Sequence, residues 1–266
     1  MHQISVYGHL ALANFRGRAQ YRVNFLTMVI AGLVYQGTGF IFIWALLSRF
    51  HTIAGWTLSE VAFLYGIRLT VHGLSVVIFG NLARATTLVR EGEFDRLLAR
   101  PMSPFLQLMA SCLQATSLGD LLGGLGLLTT SLLMLHRSWS PPAVIYLVLG
   151  ILGGTLVETS IKLIPATLSF RLLNTSALTY IVDDVFNNFG NYPLSIFGKV
   201  GEILFTFVFP LAFAAYFPAS VILGRTHGIF IPKLIAELAP LAGIIYFSLA
   251  YCFWKSEIQR YQSAGH

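Results

Sequence analysis

Residues 24–47 read NFLTMVIAGLVYQGTGFIFIWALL and hold no charged side chain. A helix needs about 20 mainly apolar residues to cross the ~30 Å hydrocarbon core of a bilayer, and this run meets that length with a turn to spare. No small-residue cleavage site lies at the right distance from it, so it reads as a retained span and not a signal peptide. The remaining chain has the same character. Of 266 residues, 56% are hydrophobic and 11% charged, against roughly 25% charged in ordinary globular domains. So few charges cannot cover the surface of a soluble fold.

Working outward, further apolar runs predict spans at about 60–81, within 104–135, and at 143–164, 203–219 and 238–253. Pro141-Pro142 suits the opening of the fourth, and Pro165 follows its end. The expectation is an all-α polytopic membrane protein of about six transmembrane helices. It forms a single membrane domain over residues 1–266, with no polar stretch long enough to bury a soluble core. With the N terminus inside, Arg16, Arg18, Arg22, Arg84, Arg90, Arg96, Arg100, Arg171, Lys199, Lys255 and Arg260 fall on the cytoplasmic side. Only Arg49, Arg137, Arg225 and Lys233 fall outside. That bias places both termini in the cytoplasm of a cell that carries the chain in its inner or plasma membrane. The net charge of +6 is therefore orientation in the membrane, and no nucleic-acid partner is expected.

Four segments are not clean spans. Residues 4–20 interleave apolar and basic side chains as an interfacial amphipathic helix does. Residues 84–104, RATTLVREGEFDRLLARPMSP, place Phe94, Leu97 and Leu98 at i, i+3, i+4 among charged neighbours. This predicts a short amphipathic helix ended by Pro101 and Pro104. It is either a docking helix for a soluble partner or a solvated loop. Residues 172–192 carry Asp183, Asp184, Asn187 and Asn188 and read as an interfacial segment. Residues 220–238 are broken by Gly224, Gly228 and Pro232, too interrupted for a span.

Ionisable groups inside spans are functional candidates. Glu158 and Lys162, four apart on one helix, form a structural ion pair near the cytoplasmic end. Arg68 and His72 share that spacing nearer the outer side, and with Asp120 they are candidates for a substrate path, against a reading as inter-helix partners. Asp183 and Asp184 point about 100° apart on a helix, so they converge poorly for acid/base or metal chemistry and read as a solvated face. No catalytic residue and no metal site is expected. The histidines have no ligand spacing, and Cys112 and Cys252 lie alone in apolar runs. Gly119, Gly123, Gly124 and Gly126 on the third span, with Gly150, Gly153 and Gly154 on the fourth, permit these two spans to pack closely on one another.

Residues 90–104, REGEFDRLLARPMSP, resemble a segment in one branch of the type-2 ATP-binding-cassette exporter permeases. A second likeness lies in residues 191–225, where Tyr192, Pro193, Leu194, Pro210, Leu211, Ala212, Phe213 and Pro218 match a motif around the fifth span of that branch. The resemblance implies a permease subunit of an exporter, paired with a second copy or with a related chain. It implies a separate dimeric ATPase that carries the ATP and magnesium, with no cofactor on this chain. Residues 90–100 would be the coupling helix, with Arg90, Glu91, Glu93, Phe94, Asp95, Arg96 and Arg100 engaging the ATPase, and membrane lipid would surround the rest. Residues 220–238 would be an outer re-entrant segment before the last span.

The residues agree that nucleotide chemistry lies elsewhere, since the chain has no GxxxxGK[ST] phosphate loop, HExxH or GxSxG motif. The substrate is expected to be amphipathic or apolar. Two other readings stand beside the permease: an intramembrane lipid-modifying enzyme using Asp183, Asp184 or Glu158, and a stand-alone channel or secondary transporter.

Overall fold

A computed structural model of the chain describes residues 20–50, 52–110, 115–172 and 174–262, with Gly8, Ala13, Arg16 and Gly17 besides. The interfacial helix expected near the N terminus lies almost wholly outside these residues. The described helices, in chain order, are α1 (Arg22–Phe50), α2 (Leu58–Phe79), α3 (Arg84–Arg90), α4 (Asp95–Leu98), α5 (Pro104–Ala110), α6 (Ala115–Met134), α7 (Pro141–Leu172), α8 (Ser176–Phe189), α9 (Gly198–Ile203), α10 (Phe217–Leu223), α11 (Lys233–Glu237) and α12 (Ala239–Ile258). Among the described residues the only β-type pairing is one bridge between Ile53 and Trp56.

Four stretches, Arg22–Arg49, Leu58–Arg90, Ala115–Met134 and Pro141–Leu172, are long and apolar enough to cross a membrane. A fifth arises if Leu194–Val208 and Ala212–Leu223, which meet at 88°, form one span. The sixth expected span is α12, whose 20 residues would extend about 30 Å at 1.5 Å per residue. Its last turns carry Trp254, Lys255 and Glu257, which leaves it less apolar than the other four.

In space the helices pack in the order α1, α6, α2, α7, α12. α2 is central: every residue from Val61 to Val71 is buried, as expected of a helix that is apolar all round. α1 is peripheral and exposes Leu26, Ile30, Val34, Ile41, Phe42 and Trp44, side chains that need lipid or another chain against them. At the start of α2, Glu60 closes a capping box with Thr57 and holds Arg225 through two hydrogen bonds, 2.7 and 2.8 Å. This joins the α1–α2 turn to the loop after α10.

Two expectations of straight geometry do not hold. The fifth span bends at Phe209-Pro210: a π-helical stretch, Leu204–Val208, ends in an extended Phe209 with ψ 92°. Proline lacks the N–H that would continue the ladder and pushes its predecessor out of the helical region. A right-angle bend therefore lies within 203–219, and residues 220–238, expected to be re-entrant, hold the end of α10, a loop and the short α11. Conversely, Pro165 does not end the fourth span. α7 runs through it to Leu172, held by buried Leu163, Ala166 and Phe170 on either side.

The two glycine sets do serve close packing, but against other partners. Gly119 lies on the α1 backbone at Val29 and Leu33, and Gly124 on α2 at Leu69 and Thr70. Gly153 lies on Pro240 and Gly243 of α12. The third and fourth spans face away from each other because α2 and α12 take those surfaces. Gly243→Ala and Gly153→Ala should each force α7 and α12 apart and lower stability by about 1–3 kcal/mol. Gly126→Ala, with no atom within 4 Å of the added carbon, should be neutral or gain up to about 1 kcal/mol in helix propensity. Thermal unfolding of the purified variants in detergent distinguishes the two outcomes.

Candidate functional site

The i, i+4 spacing places Arg68 and His72 on one stripe of α2, and Glu158 and Lys162 on one stripe of α7. The two stripes face each other. Glu158 is fully buried and Arg68 is 1% exposed. One Glu158 oxygen meets His72 Nδ1 at 2.6 Å and Lys162 Nζ at 2.9 Å, and the other lies 3.4 Å from an Arg68 terminal nitrogen. The two pairs, expected at opposite ends of the membrane, thus form one network at one depth. Sequence spacing aligns residues along a helix but does not set the stagger between helices.

α8 completes the network. Arg68 Nε donates to the Phe186 carbonyl at 3.3 Å, a terminal nitrogen donates to Asn187 Oδ1 at 3.3 Å, and the guanidinium sits 5.6 Å from the Phe186 ring centre. Lys162 Nζ also reaches Asp183 at 3.1 Å. Asp184 turns away and accepts from Asn188 at 2.6 Å. The adjacent aspartates diverge as expected: Asp184 is on the solvated face, and Asp183, 40% exposed, reaches the edge of the network through Lys162. Burying charges costs several kcal/mol each unless opposite charges and hydrogen bonds compensate; here each ion faces an opposite charge, while Arg68 Nη1 and Glu158 Oε2 are buried without a hydrogen bond.

Two clefts flank this network. One, of about 250 Å³, is lined by His72, Asp120, Lys162 and Asp183 on its polar side and by Val76, Phe79 and Leu82 on the other. The second, of about 280 Å³, is lined by Gln36, Tyr65, Arg68, Asn191 and Tyr192. Gln36 stands between them: its amide donates to Asp120 Oδ1 at 2.9 Å, and Tyr65 donates to its backbone carbonyl at 3.3 Å. The three substrate-path candidates Arg68, His72 and Asp120 therefore all border these clefts. Asp120 also makes the inter-helix hydrogen bond expected of it. Gln36 and Asn187 were not singled out from the sequence. An amide in the middle of the charge-free run 24–47 is the signal for Gln36, while Asn187 has none that sets it apart from Asn188. Among the described residues no three His, Cys, Asp or Glu side chains gather as a metal site requires.

The charged segment at 90–100 is not one helix. α3 ends at Arg90, Gly92 takes a left-handed conformation at φ 70°, and α4 is a single turn. The apolar spacing of Phe94, Leu97 and Leu98 describes that turn only. Phe94 is fully buried while Leu98 is 44% exposed. Phe94 packs edge-on against Phe170 of α7 at 4.9 Å, Tyr261 at 5.3 Å and Trp254 of α12 at 6.4 Å. Burial, then the neighbouring Asp95 carboxylate, raises the Tyr261 phenol above its usual pKa. Gln107 donates to the Leu97 and Met102 carbonyls, fastening the turn to α5. Beneath the cage, Arg171 holds the buried Glu257 with a two-pronged ion pair. The outward face presents Arg90, Glu91, Glu93, Arg96 and Arg100, whose internal pairs at 3.7 and 3.8 Å are exposed and contribute little. A groove of about 220 Å³ runs beside them past Arg84 and Leu108.

The second motif region is structural in its placement. Tyr192 borders a cleft, Pro193 opens a 3₁₀ turn at Leu194–Phe197, Pro210 makes the bend, and Pro218 sits against Gly150 of α7.

A family model described as ABC-2 family transporter protein matches residues 33–265. No curated protein and no solved structure matches the chain.

Proposed function

The chain belongs to the ABC-2 transporter family, a family of membrane permease subunits that work with an ABC ATPase, and from that premise we propose that it is the permease of an exporter. The observation that carries this reading is the family match over 33–265. On this reading α12 and the bent pair both cross the membrane, giving six spans with both termini in the cytoplasm of the inner or plasma membrane. ATP and magnesium bind to the separate ATPase. A second permease copy or a related chain covers part of the apolar face of α1, and lipid covers the remainder.

Coupling runs through residues 90–100. Their charged face is exposed and their apolar anchor, Phe94, is fixed to α7 and α12. A push from a closing ATPase dimer would reach Phe170 and then, eight residues along α7, Lys162, a distance of about 12 Å. Lys162 and Glu158 form one wall of the polar network, so movement of α7 alters both clefts. Substrate passes along these clefts, past Arg68, His72 and Asp120, from the side that faces the second permease copy.

The test is co-purification with a phosphate-loop ATPase and ATP-driven transport in vesicles. Alanine at Glu91, Asp95 and Arg96 together should abolish ATP-driven transport while the permease still purifies; Asp95 touches Tyr261 of the cage, so Glu91→Ala with Arg96→Ala, both at exposed positions, is the version that should also melt like the parent. Full transport by the triple variant refutes the coupling role. Transport with no ATPase present refutes the permease reading in favour of a stand-alone transporter.

A further inference from the structure

The cleft between α2, α6, α7 and α8 has a charge imbalance that its own residues leave open. Arg68 with Glu158 and Lys162 with Asp183 compensate one another, and Glu158 also takes the hydrogen bond of His72. Asp120 is left over. Its described partner is the neutral Gln36 amide at 2.9 Å, and among the described residues no Arg, Lys or His forms an ion pair with it. With His72 neutral, the groups around the cleft therefore carry one uncompensated negative charge, on a helix that crosses the membrane. A carboxylate on a helix that crosses the membrane is costly without a cation.

We infer that this cleft binds the cationic head group of an amphiphile bearing an ammonium group, with Asp120 as its counter-ion. The other half of the cleft supports this class. Val76, Phe79 and Leu82 line it and offer an apolar surface for the adjoining chain. An anionic head group is disfavoured, because Lys162 is already shared between Glu158 and Asp183 and the surplus charge is negative. The volume, about 250 Å³, is below the roughly 300–1,000 Å³ of sites that enclose a drug-sized ligand. The cleft therefore takes the head group and the first part of the chain, and leaves the tail in the bilayer or under the second permease copy. That this ligand is the transported substrate rests on the permease reading; that it binds does not.

The experiment uses the purified full chain in lipid nanodiscs, without any ATPase. Three probes share one pyrene-labelled ten-carbon chain and end in a primary ammonium, a hydroxyl or a carboxylate, with uptake by empty nanodiscs subtracted. The ammonium probe should bind saturably and about ten-fold more tightly than the other two, as a charge-assisted contact allows. Asp120→Asn keeps the oxygen that accepts from Gln36 and removes the charge. It should weaken ammonium binding about ten-fold and leave the hydroxyl probe unchanged. Asp184→Asn, outside the cleft, should bind all three probes as the parent does. Equal binding of the three probes by the parent, no saturable binding, or full ammonium affinity in Asp120→Asn overturns the inference. The parent's head-group preference decides even if that variant fails to fold. Loss of ATP-driven transport with the ammonium preference intact counts against the permease reading alone. Unselective binding with transport intact counts against the head-group assignment alone.

Discussion

Alanine in place of Phe94 is expected to cost about 3–5 kcal/mol of stability, the range for truncating a wholly enclosed aromatic. The ring is fully buried in a segment that otherwise has four helical residues and a left-handed glycine to order it. Its neighbours come from separate elements: Phe170 from α7, Trp254 from α12 and Tyr261 from the residues after it. Phe170 and Trp254 also pack on each other at 4.9 Å. No single neighbour can therefore collapse into the space without leaving another contact, so the cavity cost adds to the lost transfer energy and to the edge-on ring contacts. The second consequence is local. Without its anchor the 91–98 turn keeps the Gln107 bonds, the partly buried Leu97, the Asp95–Tyr261 contact and exposed ion pairs. Trypsin should then cut at Arg90 or Arg96 much faster than in the parent. A melting curve and a timed digest check both effects. Leu98→Ala, at a half-exposed position, is the control and should change neither. A Phe94→Ala variant that melts and digests like the parent would show that the aromatic cage does not hold the coupling turn.

The same residue shows how far the sequence could be read. The spacing of Phe94, Leu97 and Leu98 marked an amphipathic turn between two spans, and its position beside the membrane followed from the flanking runs. That Phe94 alone is enclosed depends on residues 76 and more positions away, which no local period encodes. The apolar runs were legible because the bilayer imposes a length on each helix separately. Neighbour relations were not: the glycines of the third and fourth spans announced close packing, but they meet α1, α2, the 212–218 stretch and α12, not each other. Pro165 and Pro210 show the same limit from the backbone. Both remove a donor, yet buried neighbours carry α7 through one, while the other turns the chain by 88°. The Glu158–Lys162 pair was legible on its own helix. Its union with Arg68 and His72 into one network needed the stagger between α2 and α7, together with α8, whose polar face the sequence assigned to the interface.

That union sets the second large expectation. Glu158→Gln should destabilise the protein by about 3–5 kcal/mol, the cost of leaving buried charge without its partner. Glu158 is the one anion that Arg68, His72 and Lys162 all approach. Lys162 keeps Asp183 and is 18% exposed, so it can turn toward the cleft. Arg68 has no such escape: it is 1% exposed, and its remaining acceptors are the neutral Phe186 carbonyl and Asn187 amide. The penalty therefore belongs chiefly to Arg68, and this can be separated from simple loss of packing. Arg68→Met alone should be costly, because it leaves Lys162 as the one cation on Glu158, beside the neutral His72 hydrogen bond. Arg68→Met combined with Glu158→Met removes both ions and should cost far less than the single variants Arg68→Met and Glu158→Met added together, as buried pairs replaced by apolar groups commonly do. Stability measured by denaturant titration of the four proteins gives the coupling energy. Additive losses would mean that the two groups do not interact, and that α8, through Phe186 and Asn187, is what holds Arg68 in place.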